Sequence, residues 1–437
     1  MKDRLSNFKK KPFVRNVFIM ATSTAAAQAV TLALSPIITR LYGPEAFGLL
    51  GTFTAIAAII SPIAALTYPI AIVLPKSEND AKGLVRLSLY ITSAIALLVA
   101  IILILLNRPI VRLFKLEDIA LFLYLIPLVI LFSGLIQVTE QWLIRTKQFK
   151  ITARVTFLQS VILNGSKIGI GLLYPAAMVL ITLTVLGQLL KAIMMNLWSN
   201  SFIYTKKKIE ENGHQISIRY LSKKYIDFPL YRSPQVLLNA VSQGLPILML
   251  TTLFGPASAG FYSLGKTVLS APSQLIGKSV GDVFYPRISE AAKRGENITR
   301  LLIKATLLLA VVGFIPFGII VVFGPQIFSF VFGADWIIAG EYARWMALWI
   351  FVSFMNRPAV SVIQVIGLQG KFLLYEIVST VLRFGSLYFG FSIFKSDIAA
   401  VTIFSLVSVL LNLFLIIFTV WKSNSNHRKL DLREDYN

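Results

Sequence analysis

The sequence predicts an all-α integral membrane protein of about twelve transmembrane helices, arranged as two six-helix halves related by an axis along the membrane normal. Three observations carry this. First, 56% of the 437 residues are hydrophobic and 14% are charged, whereas a soluble domain carries roughly 25% charged residues. Second, the apolar residues gather in runs of about 18 or more, long enough to cross a ~30 Å hydrocarbon core as helix. They do not alternate with polar residues as the strands of a membrane barrel do. Third, one loop is written twice. TRLYGPEAFGLL (Thr39–Leu50) and TTLFGPASAGFY (Thr251–Tyr262) share Leu-aromatic-Gly-Pro-x-x-x-Gly, 212 residues apart.

The first predicted span, 14–38, follows a basic flank and resembles a secretory signal. Thr22, Ser23, Thr24 and Gln28 dilute its apolar run, which continues to Ile38, so it reads as an uncleaved span. Spans 46–74, 84–106, 119–143, 153–173 and 176–200 complete an N-terminal six-helix bundle, 1–200. The polar stretch 201–227, with KKKIEENGHQ, is a solvated connector and the natural domain boundary. Spans 228–251, 258–286, 301–324, 338–366, 372–394 and 397–421 form a C-terminal bundle, 228–421, and 422–437 is a polar tail.

An even number of spans puts both termini on one side. The two tails and alternate loops, with the span ends beside them, hold 29 Lys and Arg; the opposite loops hold six (Arg40, Arg108, Arg112, Lys115, Arg344 and Lys395). This bias places both termini in the cytoplasm and accounts for much of the net charge of +22. Trp142, Trp198, Trp336 and Trp421 fall at predicted span ends, where an interfacial belt is expected.

The repeat extends beyond the Gly-Pro loop. SENDAKG (Ser77–Gly83) matches SEAAKRG (Ser289–Gly295) at the same offset of 212, and VILNGS (Val161–Ser166) matches VLRFGS (Val381–Ser386) at 220. Six spans return the chain to its starting side, so the halves share one orientation. That is the parallel-repeat plan of many transporters, with a substrate site between the repeats. The Gly-Pro loop itself reads as a tight external turn that packs helices rather than touching substrate.

Besides those counted above with the loops and span ends, seven basic residues lie within predicted spans: Lys167, Lys191, Arg232, Lys266, Lys278, Arg357 and Arg383. Their acidic counterparts are Glu140, Asp282 and Glu376. Each central cation facing lipid costs about 2.5–3.5 kcal/mol, so most must face a wet interior or reach an interface. Lys278, one turn before Asp282, reads as a structural pair. Lys167, Lys191, Lys266 and Arg383 lie too deep to escape. Arg383 is the leading candidate; its repeat counterpart is Leu163, one turn before Lys167. Spans 1 and 7 carry polar stripes, Thr24, Gln28, Thr31 and Ser35 against Arg232, Asn239 and Gln243. Such stripes line water or bond helix to helix. A cationic chamber selects anions, phosphates above all, which Arg and Lys hold through charge-assisted hydrogen bonds. Glu376 and Asp282 are candidates for carrying a coupling proton or sodium ion; pairing with Arg383 and Lys278 explains them equally.

The absence of cysteine excludes disulfide, thiolate and zinc–thiolate chemistry. His214 and His427 lie in polar loop and tail sequence. No metal or organic cofactor is expected, and the basic charge belongs to membrane topology rather than to nucleic-acid binding.

The stretches SPIITRLYGPEAFGLLGTFTAI, DFPLYRSPQVLLNAVSQGLPILMLTTLFGPASAGFYSLGKTVLSAPSQLIGKSVGDVFYPRISE and FGADW resemble the Wzx-type polysaccharide flippases of the multidrug/oligosaccharidyl-lipid/polysaccharide exporter superfamily. The resemblance covers nearly the whole chain. It implies two six-helix bundles in a V around a central cavity, opening alternately to either membrane face. It also implies a flippase, not an enzyme, in the bacterial inner membrane. The substrate would be undecaprenyl-pyrophosphate-linked oligosaccharide, a repeat unit of O-antigen, capsule or exopolysaccharide, with other polysaccharide-assembly proteins as partners. The family's cationic cavity carries over to Arg232, Lys266 and Arg383, then to Lys167 and Lys191, with Arg357 a further candidate. The chain lacks the two additional C-terminal spans of lipid II flippases. Ion-coupled multidrug exporters of the same superfamily are the alternative, and they are expected to bury an excess of carboxylates rather than of cations. A membrane enzyme would need a carboxylate pair or metal site; the adjacent Glu117–Asp118 has no supporting His or Asp.

Overall fold

The computed structural model describes residues 12–199 and 217–434; for 12–21, 114, 272, 274–283, 293 and 426–434 it describes the backbone alone. Lys278 and Asp282 therefore lie outside the described side chains. Among the described residues there is no β-strand. The described chain is predominantly helical, and each of the twelve predicted spans falls at least in part on helix. Among the described residues nine segments are both long and apolar enough to cross a membrane. One of them, Thr22–Ile63, holds the first two spans. The two remaining helices, Phe149–Gly171 and Pro256–Lys293, are too polar to qualify, which marks them as helices that need protein or water beside them.

Helix α1 (Pro12–Ile60) bends sharply at Gly43, whose φ of 67° and ψ of 174° lie in a region open essentially to glycine alone. Gly255 adopts the same geometry (φ 94°, ψ 174°) between α8 (Ser233–Phe254) and α9 (Pro256–Lys293). A Cβ at either glycine would meet nothing within 4 Å, so conformation rather than space demands the residue. Pro256 then opens the next helix, where a missing N–H costs nothing. The twice-written loop is one turn built twice.

The second span does not continue as helix to residue 74. After Ile60 the Ser-Pro step gives a tight turn at Ser61–Ile63, and Leu66 and Thr67 take positive φ (47° and 57°) before the short α2 (Tyr68–Ala71). Breaking a helix at membrane depth frees carbonyls that must find donors. Gln137 donates to the Ser61 carbonyl at 2.7 Å, and Arg145 donates to those of Ile72 and Pro75 at 3.0 and 2.7 Å.

The counterpart, α9, stays helical to Lys293, with Gly295 (φ 70°) beyond its end. This corrects the second repeat match. SENDAKG opens α3 (Glu78–Phe114), capped by Ser77, whereas SEAAKRG closes α9. The 212 register ends inside the second span. Beyond it the helix starts pair at 220: Glu78 with Ile298 of α10 (Ile298–Phe332), Phe149 of α5 (Phe149–Gly171) with Gln369 of α13 (Gln369–Phe394), and Ala177 of α6 (Ala177–Trp198) with Asp397 of α14 (Asp397–Glu434). The helix α4 (Ile126–Arg145) ends 220 residues before α12 (Arg357–Val365), which continues α11 (Ile337–Met355) across a break at Asn356.

Contacts divide the chain into two compact units, Met1–Ala259 and Gly260–Asn437. In the first, α8 packs along α1, with Thr52 and Thr251 sharing a hydroxyl hydrogen bond of 2.6 Å, and the short α7 (Ile218–Lys224) seats Leu221 against Gly83. In the second, α10 and α11 cross at Gly324 and Gly340, and edge-to-face rings join Phe261 to Trp336 and Tyr342. The expected tryptophan belt is half kept: Trp198 and Trp421 are exposed, while Trp142 and Trp336 are buried in protein.

Candidate functional site: cations inside the membrane-spanning helices

In the first unit the polar stripe of α1 meets α5. Thr31 and Ser160 share a hydroxyl contact of 3.1 Å, Asn164 donates to Thr31 at 3.2 Å, and Ser160 donates to the Ala27 carbonyl at 3.0 Å. Higher on the seam, Tyr42 donates to the Lys167 carbonyl at 2.7 Å, with Gly171 leaving room for its ring. Thr31 thus serves helix–helix bonding. Gln28 sits one turn away, and its Oε1 is buried without a hydrogen-bond partner among the described residues. Asn239 and Gln243 lie exposed on α8, and Arg232 is exposed at the end of a π-helical turn, Phe228–Arg232, bonded to Gln235 at 3.2 Å.

The two lysines expected at depth in this unit differ. Lys191 on α6 forms an ion pair of 2.9 Å with Glu140 on α4. The ammonium of Lys167, one turn before the end of α5, has no carboxylate within 4 Å among the described residues.

In the second unit, α13 carries Tyr375, Ser379 and Arg383 at i, i+4 and i+8, on one face, with Glu376 beside it. Arg383 lies close enough to act electrostatically on Glu376, on Tyr375 and on Tyr262 of α9. No carboxylate among the described residues comes within 4 Å of its guanidinium, and its Nε is buried without a partner. Lys266 stands one turn beyond Tyr262, on the same face of α9. Arg357 is exposed at the head of α12. Sequence reading missed Tyr262 and Tyr375; their spacings of four and eight residues from Lys266 and Arg383 were the available signal.

The structure therefore sorts the cations. Lys191 is neutralised within its own unit, while Arg383 offers a planar, permanently charged donor fork without an ion-pair partner among the described residues. Such a fork away from bulk water suits a phosphate or carboxylate.

The chain is thus a helical, multi-span membrane protein with an internal sequence repeat and with cations inside its membrane-spanning helices. Residues 37–341, more than half of the chain, match the family model described as polysaccharide biosynthesis protein (Polysacc_synt_3), and the chain belongs to that family. No curated protein matches it. Among solved structures it is similar to an inward-facing multidrug resistance MATE family transporter of the MOP superfamily, at 14% identity and a TM-score of 0.73 over 92% of this chain and 96% of that one. Lipid II flippase MurJ in an inward closed conformation gives 14% identity and 0.69 over 94% and 90%. A MOP superfamily transporter from Pyrococcus furiosus gives 14% and 0.52 over 96% and 94%. At these identities the likeness establishes the fold alone.

Proposed function

We propose that this chain translocates undecaprenyl-pyrophosphate-linked oligosaccharide from the cytoplasmic to the outer leaflet of a bacterial inner membrane by alternating access. The carrying observation is Arg383, charged, with its Nε buried and no carboxylate within ion-pair distance among the described residues, in a member of a polysaccharide biosynthesis family. The pyrophosphate head docks on Arg383 and Lys266 of the second unit, with Lys167, Arg232 and Arg357 as further candidate contacts, while the lipid tail stays within the membrane. Opening to the outer face hydrates the head and weakens the ion pairs, which releases it. Lys191 acts through Glu140 to hold α4 against α6. Glu376, within the field of Arg383, is the candidate for a coupling proton.

The test is the leaflet distribution of a lipid-linked oligosaccharide in proteoliposomes with and without the protein. Transport should fall by about 10–100-fold in Arg383→Ala and in Lys266→Ala, the loss of a hydrogen bond to a charged group at ~1.5–3 kcal/mol. Arg383→Lys should recover part of it. An unchanged leaflet distribution with the wild-type protein overturns the flippase reading, and export of cationic dyes would favour the multidrug exporter. Full activity of both alanine variants would remove the docking role alone.

A further inference from the structure

The second unit contains a cavity of about 570 Å³ between α12, α13 and α14, lined almost wholly by carbon. Its volume is that of a ligand site. One wall is a ladder of parallel rings: Phe372 on Tyr375, Tyr375 on Phe414, and Phe414 on Phe418, at centroid separations of 6.2, 6.3 and 6.1 Å. The lining follows α13 from Lys371 to Leu382. Lys371 is exposed, at the helix end that the Lys and Arg bias assigns to the cytoplasm.

The repeat supplies an internal control. Ile363, Tyr375 and Leu415 line the cavity. Their counterparts 220 residues earlier are Leu143, Val155 and Met195, which are fully buried against one another in a closed apolar cluster. Ile151 and Met194 pack onto that cluster where the cavity has Lys371 and Phe414. The fold closes this place in the first half, so the opening in the second half belongs to its sequence.

We propose that this cavity is a groove for the polyprenyl chain of the anionic glycolipid, its charged head lying toward Lys371 on entry, before it docks on Arg383. The assignment rests on the flippase reading above. Three features select this occupant. A lining almost wholly of carbon takes an apolar chain, and a lysine at the cytoplasmic end complements an anionic head. The twelve residues from Lys371 to Leu382 rise ~17 Å along the helix, beyond the midplane of a ~30 Å core, which favours a tail longer than one leaflet.

The test uses the full chain in vesicles with a polyprenyl phosphate carrying a diazirine on its tail, and a matching diazirine phosphatidylglycerol. The polyprenyl probe should label peptides containing Val378, Leu382 or Leu411, and unlabelled polyprenyl phosphate, but not phosphatidylglycerol, should compete. Val378→Trp fills the groove from an exposed position and should lower labelling at least about tenfold, the change expected from excluding two methylene groups of the chain. Lys371→Glu should weaken labelling without filling the groove, and Val161→Trp, at an exposed position of α5, should leave it unchanged. Equal labelling by the two probes identifies an ordinary annular lipid position and overturns the proposal, as does labelling elsewhere. Leaflet distribution measured in the same vesicles separates the two claims. Flipping without groove labelling removes only the groove, whereas groove labelling without flipping removes only the transport reading.

Discussion

The Glu140–Lys191 pair gives the sharpest separation between a structural cation and a docking cation. The perturbation is Glu140→Gln, which leaves the lysine alone between α4 and α6. At 2.9 Å and an effective dielectric constant of about 20, the gross attraction is about 6 kcal/mol. Desolvation of both ions offsets most of it. What the variant exposes is the cost of an unpaired membrane-embedded lysine, about 2.5–3.5 kcal/mol on insertion scales. The side chains retain 22% and 33% exposure, which lets Lys191 recover some solvation and puts the expectation at the lower end, about 2.5 kcal/mol. That corresponds to a loss of roughly 70-fold in the folded-to-unfolded ratio.

The assay is denaturant or thermal unfolding of purified protein in a fixed detergent, with transport measured on the same preparations. Glu140→Gln and Lys191→Met should each destabilise. The double variant Glu140→Leu/Lys191→Met should recover most of the loss, because replacing a whole buried pair by apolar side chains is close to neutral. It should also transport near the wild-type rate. A double variant that is stable but inactive would refute the reasoning and return Lys191 to the docking set. Wild-type stability of Glu140→Gln would show that the pair carries no structural weight.

Further expectations concern the backbone and one interhelical loop. Gly43→Ala and Gly255→Ala should each lower stability by about 1–3 kcal/mol through backbone strain alone, since an added methyl meets no neighbour at either place; a melting temperature unchanged in both would contradict this. Gly340→Ala should cost about 1–3 kcal/mol by overpacking, because its Cβ would come within 2.5 Å of the Gly324 carbonyl oxygen and of Pro325 Cα; tolerance would mean that α10 and α11 can separate cheaply. The hydrogen bonds from Arg287 hold the Glu296 carboxyl below its ordinary value. A depressed acid contributes above its unfolded pKa and loses that contribution as pH falls through the folded one. Hydrogen exchange in 287–297 should therefore rise on acidification below the ordinary glutamate range, and Glu296→Gln should abolish that dependence.

Spans, repeat and loop geometry were legible because each rests on local chemistry. Apolar runs of fixed length, charge bias and a Gly-Pro step are written in consecutive residues. The break after Ile60 was partly legible in Ser61-Pro62, but apolar composition carried the predicted span through it. Composition does not register that the freed carbonyls find Gln137 and Arg145, far along the chain. The same limit explains why the matched heptads misled. Ser-Glu-x-x-x-basic-Gly opens one helix and closes another, since a serine that caps and a glycine that terminates can stand in the same pattern. For the site, counting seven cations against three acids could not say which were paired. Lys191 and Glu140 are 51 positions apart, and only packing of α4 on α6 brings them together.

The two halves have spent one inherited plan differently, and their differences fall at equivalent positions. Where α5 has Leu163, α13 has Arg383, and where α5 seals Val155 against Leu143 and Met195, α13 presents Tyr375 to an open groove. The first half closes its seam with Thr31, Ser160 and Asn164 and balances Lys191 with Glu140; in the second, no carboxylate among the described residues comes within 4 Å of Arg383, and an apolar space lies adjacent. Stability alone argues for the first arrangement, since an unbalanced cation and an unfilled cavity both cost free energy. Their coincidence on a single helix is therefore best explained by a ligand that has both an anionic and an apolar part. A purely polar solute would need only Arg383, and a bulk lipid only the groove. An anionic lipid needs both within reach of one helix, and α13 supplies them in succession, the groove lining ending at Leu382 beside Arg383.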